Sequence, residues 1–171
     1  MFQKLKNNSI SYITMFLTIN TSQFNANHII INNKTKNNIM NNSDFFRILY
    51  SDDTISINGI FIHFILKEIN IEKYFNKVKC CFSRIKINND IIKRLLEIEK
   101  QTLFKIGKNM PYYKPVYRMQ EQLQNYFIKI YNENNIKLGN HNEIIFMLKI
   151  AGIWSSETSK TYGITFRFYI I

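Results

Sequence analysis

The side chains able to do bond-making chemistry are few in this chain, and their spacing keeps them apart. Its three histidines, His28, His63 and His141, have no carboxylate or cysteine at metal-ligand spacing. His63 sits inside an apolar run, where a structural imidazole is expected. Cys80 and Cys81 are adjacent, and no second pair exists to build a disulfide framework, so a reducing, intracellular setting is expected. A thiol nucleophile would need a base beside it, and the sequence places none; a buried thiol is the better reading. Asp52-Asp53 reads as a turn. Glu97 and Glu99 read as a solvated helix face, two residues apart and so not on one stripe. The five glycines never cluster into a phosphate cradle, and no nucleophile elbow occurs. The expectation is a non-catalytic protein with no cofactor and no metal.

Binding chemistry is better represented. Rings and cations interleave in Phe45-Phe46-Arg47, Tyr112-Tyr113-Lys114, Tyr117-Arg118 and Phe166-Arg167-Phe168-Tyr169. Unpaired nucleic acid asks for both, cations for its phosphates and rings for its exposed base faces. The net charge of +11 and pI near 9.6 point the same way. Most of the cations are Lys, however, and Lys, Asn, Ile, Tyr and Phe share A/T-rich codons, which offers a second origin for the charge. No apolar run reaches the length of a bilayer span, and no signal-peptide pattern follows Ile10–Ile19.

The elements that would position these residues follow from periodicity. From Tyr162 to Ile170, Tyr162, Ile164, Phe166, Phe168 and Ile170 alternate with Gly163, Thr165, Arg167 and Tyr169, the period of a half-buried strand. With EIIFMLKIAGIW before it, this predicts a hairpin over Asn142–Ile171. If Trp154 faces Tyr162, then Ile150 meets Phe166, Leu148 meets Phe168, and Lys149 lies opposite Arg167. Those like charges would repel, and an anion over them would remove the repulsion. A second hairpin is expected from Phe45–Tyr50 and Ile55–Leu66, with Arg47 opposite Asn58 and a bulge at Asn58-Gly59. Lys77–Ile85 reads as a strand with Lys77 and Lys79 on one face. Earlier, Ser9–Asn20 and His28–Ile31 read as strands and Asn32–Ser43 as a polar loop. Asn88–Gly107 changes to a helical period, with Asp90 as the expected N-cap. Val116, Met119, Leu123 and Phe127 continue that spacing, and Tyr126–Tyr131 returns to strand.

The fold expected is therefore mainly β within the α+β class. It would be an oligonucleotide-binding (OB)-like antiparallel barrel or strongly bent sheet, with one or two helices inserted before the C-terminal hairpin. An antiparallel α+β sandwich is the alternative. Residues 1–8 read as a loose basic end and residues 9–171 as one domain.

Four segments together resemble a known group: Phe45–Ile62, Leu95–Leu103, Lys114–Leu123 and Leu148–Phe168. In the last, Ile150, Gly152, Ile153, Trp154, Tyr162, Gly163 and Phe168 carry the likeness. From about Asp44 onward the chain resembles small single-stranded DNA-binding proteins, of OB-fold type, from large insect double-stranded DNA viruses and Maverick-type elements. The resemblance implies a part in viral-type DNA replication or recombination, in the host nucleus or at a viral replication site, beside replication proteins. It does not extend to an acidic C-terminal tail of the kind phage-type proteins use for recruitment.

The expected nucleic-acid site combines Arg47, Lys77, Lys79, Lys149 and Arg167 on phosphates with Tyr50, Trp154, Tyr162 and Tyr169 on bases. The ligand is single-stranded DNA, with RNA the variant that sequence does not separate, and no membrane is involved. The rival is a virion structural or interaction protein that self-associates through aromatic edge strands into a homo-oligomer, its basic charge incidental.

Overall fold

The computed structural model describes residues 17–37, 42–131 and 136–171. The residues expected to form the loose N-terminal end, and most of the expected strand over Ser9–Asn20, lie outside this range. Among these residues ten strands and two α-helices follow in order, with a short 3-10 turn at Ala26–His28. The strands are β1 (Ile19–Asn20), β2 (Ile29–Lys36), β3 (Ser43–Ser51), β4 (Ser56–Asn58), β5 (Ile60–Tyr74), β6 (Lys77–Phe82), β7 (Lys114–Val116), β8 (Phe127–Tyr131), β9 (Gly139–Ser156) and β10 (Thr161–Ile170). Helix α1 (Lys86–Gly107) follows β6, and α2 (Arg118–Gln124) lies between β7 and β8. The architecture is mainly β, an open and largely antiparallel sheet with both helices before the closing hairpin.

The spine of the sheet runs β2-β3-β9-β5-β6-β8, with β10 on the other edge of β9. β9 is long enough to serve three partners. Residues 139–150 pair with β5, 152–156 pair with β3, and 146–156 pair with β10. The change of partner falls at Ala151, where β9 bulges and Thr165↔Gly152 is followed by Phe166↔Ile150. Gly59 marks the same corner on the other chain. Its φ of +97° suits a residue without Cβ, and its N–H bonds the Ile48 carbonyl at 2.8 Å. An irregularity at Asn58-Gly59 is thus present.

Alternation sorts the side chains. On the inner face lie Ile60, Ile62, Phe64 and Leu66 of β5, Phe146, Leu148 and Ile150 of β9, and Ile164 and Phe168 of β10. Helix α1 covers this face with Ile92, Leu95, Ile98, Leu103 and Ile106, and α2 adds Met119 and Leu123. The outer face carries Phe45, Arg47, Trp154, Lys149, Arg167 and Tyr169, placed by the pairings Phe45↔Trp154, Arg47↔Gly152 and Arg167↔Lys149.

Several expectations change. Asn32–Lys36 is not loop but the outer part of β2, paired with β3 after a register shift. The β3–β4 register puts Leu49, not Arg47, opposite Asn58. Asp52 accepts from the N–H groups of Thr54 and Ile55, which centres the four-residue turn on Asp52–Ile55, one residue later than expected, and so moves the residue opposite Asn58 by two. Asp90 is an exposed residue inside α1; the cap position is Ile85, which offers no side-chain bond. The helical spacing from Val116 to Phe127 is broken, because Val116 pairs with Gly163 and Phe127 with Cys81. The closing hairpin begins at Gly139, three residues before the expected start.

Candidate nucleic-acid interface

The predicted opposition of Lys149 and Arg167 is present, as are Ile150↔Phe166 and Leu148↔Phe168. Trp154 does not face Tyr162, however. The bulge at Ala151 pairs Trp154 with Gly163 and Tyr162 with Ser155, so the two rings leave opposite faces of the hairpin.

Tyr162 is in the core at 4% exposure, with its hydroxyl directed to the Leu103 carbonyl. Tyr50 is equally enclosed, 1% exposed, against Phe24 and His28, and it accepts a bond from the Asn25 N–H. Burial pushes both phenols above the ordinary tyrosine range. Neither ring can stack a base, and the sequence reading of these two is corrected accordingly. Both are inner-face residues of their strands, where a large ring packs well and its hydroxyl finds a backbone partner.

Trp154 is on the outer face yet only 6% exposed. Its indole lies flat on Gly163, where an added Cβ would come within 2.7 Å of Cζ2. The Arg118 guanidinium stands 4.8 Å from the ring centroid. Gly152 is fixed by a related constraint, since a Cβ there would collide with Phe45 and the Phe46 carbonyl. These contacts explain why side-chain-free residues stand at 152 and 163, beside Phe45 and Trp154.

Lys149 and Arg167 share a face but lean apart. Lys149 reaches over Phe61 of β5 at 5.1 Å, while Arg167 reaches over Tyr131 of β8 at 4.9 Å and Tyr169 at 6.0 Å. Each cation thus rests on a ring of its own, which separates the two charges.

The strongest convergence lies around Tyr131. Lys77 sits 4.5 Å from its centroid, beside Arg167. Two residues along on the same face, Lys79 and Lys129 are cross-strand partners that both approach Phe127, at 5.1 and 5.3 Å, and Lys129 also lies 4.8 Å from Tyr74. Among the described residues the only ion pairs are Lys34–Asp44 and Lys160–Glu157, so none of these cations is neutralised by a carboxylate. Tyr131 also lines an open groove of about 660 Å³ with Lys36, Phe45, Arg47, Arg118, Trp154 and Phe166. Arg47 is exposed in it. The structure therefore joins Arg47, Lys77, Lys79, Trp154, Arg167 and Tyr169 in one band, leaves Lys149 at its margin, and excludes Tyr50 and Tyr162.

Sequence reasoning notes Arg118 beside Tyr117 but leaves it out of the expected site, together with Lys129, Tyr131 and Phe127. The last three alternate within Tyr126–Tyr131, but the neighbour of β8 is set by a long-range pairing that alternation does not reveal. Glu99 was also misread. It is fully buried in α1 and accepts bonds from the N–H groups of Met119 and Gln120 at 3.0 and 2.8 Å. Burial raises its carboxyl above the ordinary range, opposed by those two bonds.

Groups suited to catalysis remain dispersed. His63 is held by Thr18 at 2.9 Å, the structural role expected of it. The Cys80 thiol is buried and pushed up to about 12 by desolvation and then by Cys81, which leaves it unreactive. No group of histidine, cysteine and carboxylate side chains among the described residues could hold a metal ion, and no described helix is long and apolar enough to cross a membrane. Comparison with family models, curated proteins and solved structures finds no match to this chain.

Proposed function

We propose that this protein binds single-stranded DNA, without catalysis, in the manner of a viral-type replication or recombination protein. One observation carries the reading. Tyr131, flanked by Lys77 and Arg167, lines the same groove as Arg47 and Arg118, and none of the four cations has a carboxylate partner among the described residues. Alternating cations and rings in an open groove suit a strand whose bases are unpaired. A duplex offers its phosphates on a rigid cylinder and hides its base faces, so the rings would contribute nothing.

The fold supports the same reading in an OB-like sense. The sheet bends through β9, β5, β6 and β8 until β8 lies beside β10, with the helices inserted before the closing hairpin. Among the described residues β2 pairs only with β3, and its outer part carries Asn, Lys and Thr, a composition that resists strand addition and weighs against edge-to-edge self-association.

Fluorescence anisotropy of labelled oligo-dT, oligo-rU and a matching duplex tests the proposal at low salt. Single strands bind more tightly than duplex, and the dT and rU arms separate DNA from RNA. Tyr131→Ala weakens single-strand binding by about 1–3 kcal/mol, the worth of one stacked base. Absence of binding at low salt, or preference for the duplex, overturns it.

A further inference from the structure

Trp154 poses a question that the groove alone does not answer. It is the one tryptophan of the chain and it lines the groove, yet its ring is closed off. One side is filled by the backbone of Gly163 and the Arg118 guanidinium stands over the indole. Gly163 belongs to β10 and is fixed by the strand ladder. Arg118 is the first residue of α2, a helix of 7 residues, and no carboxylate among the described residues holds its guanidinium.

We infer that Arg118 is a displaceable cover over a nucleobase platform, Trp154, and that Glu99 positions this cover. The inference rests on the groove being a nucleic-acid site. An arriving base takes the place of the guanidinium on the indole, and the freed guanidinium turns to a neighbouring phosphate. The exchange is balanced in kind. A base stack on an indole replaces a cation–ring contact of comparable or smaller worth, and a charge-assisted bond to phosphate is gained.

Glu99 enters through the geometry of the helix start. The residue at the cap position of α2, Tyr117, makes no side-chain capping bond. The free N–H groups of Met119 and Gln120 are instead received by the two carboxylate oxygens of Glu99, from α1. These are the two residues that follow Arg118. Glu99 thus ties the start of α2, and with it the root of the Arg118 side chain, to the core. It touches neither ligand nor Trp154 and acts as a positioning residue.

Because Trp154 is the sole tryptophan, its fluorescence reads the cover directly. In the free protein Arg118→Ala shifts the emission to the red and raises acrylamide quenching toward that of an open indole. Arg118→Lys keeps the charge but loses the planar guanidinium, and falls between. Glu99→Ala reproduces the red shift, Glu99→Gln, whose one amide oxygen can accept only one of the two N–H bonds without an NH2 facing the other, falls between, and Glu99→Ala adds nothing once Arg118 is Ala. Saturating oligo-dT quenches Trp154 in wild type and in Arg118→Ala alike. Unchanged acrylamide quenching in both Arg118 variants overturns the cover while anisotropy still reports binding. A Glu99→Ala effect that persists in the Arg118→Ala background overturns the positioning role. No binding of oligo-dT to wild type by anisotropy overturns the reading of the groove, and the platform with it.

Discussion

The two faces of the β9–β10 hairpin use the same rings for opposite purposes. On the inner face Phe146 stacks on Phe64 with centroids 5.7 Å apart, and Phe168 meets Phe64 edge-on at 6.1 Å. On the outer face, and along β6 and β8 beyond it, rings meet cations: Tyr131 with Lys77 and Arg167, Trp154 with Arg118, Phe127 with Lys79 and Lys129. The inner rings exclude water and have no contact left to offer. The outer rings are held by side chains that a phosphate could draw away. What distinguishes a candidate stacking ring in this molecule is therefore its neighbour, not its type, and Tyr162 against Tyr131 is the plainest instance.

The contrast predicts separable losses. Phe146 is fully buried, so Phe146→Ala removes ring contacts and leaves a cavity, at about 3–5 kcal/mol of stability. Chemical denaturation measures this, and the fraction that stays folded binds oligo-dT as wild type does. A stability loss under about 1 kcal/mol would mean that the inner face is not close-packed.

On the outer face the effects reverse. Lys79→Ala with Lys129→Ala removes a cross-strand pair of like charges, so stability stays level or rises by about 0.2–1 kcal/mol. Binding to single-stranded DNA loses two phosphate contacts. The slope of log K against log salt becomes shallower by about 1.4, at roughly 0.7 per phosphate. A salt titration in which the slope does not move places the strand elsewhere, in the groove alone.

How much of this was legible in the sequence differs between the two faces. Strict alternation from Tyr162 to Ile170 gives β10 and its inward set, and Tyr162 falls in that set with Ile164 and Phe168. Its assignment to a binding surface followed its chemistry against its parity. The opposition of Lys149 and Arg167 was legible for the same reason. The bulge at Ala151 was not, because Ala151-Gly152 carries no large side chain to mark the extra residue, and the bulge decides which face Trp154 takes. The band around Tyr131 depends on β8 lying against β6, and only the folded chain supplies that pairing. The identity of the ligand is less legible still, since solvated and ligand-seeking cations look alike in a chain rich in Lys.

Glu99 offers the smallest effect and the finest test, because it sits beneath the outer face on the inner stripe of α1. Its position was in the pattern: Ile92, Leu95, Glu99, Leu103 and Ile106 fall three or four residues apart, so the carboxylate replaces an apolar residue on the packed stripe. Its carboxyl is held in the fold above the ordinary 4.5 of a free glutamate, chiefly by burial. The folded state then binds a proton more readily than the unfolded chain, and stability falls as pH rises from about 4.5 through the raised folded value. Asp52 acts in the opposite sense and in a separate window. Its carboxyl is lowered below 3.8, chiefly by the Thr54 hydroxyl and then by backbone N–H groups, so its contribution is lost only in stronger acid. Thermal melts of wild type and Glu99→Gln between pH 4.5 and 7 isolate the first effect. The wild type loses stability across that range relative to the variant, which has no proton to exchange at this position. Parallel profiles would mean that the bonds from Met119 and Gln120 offset the burial in full, so that Glu99 releases its proton as readily folded as unfolded.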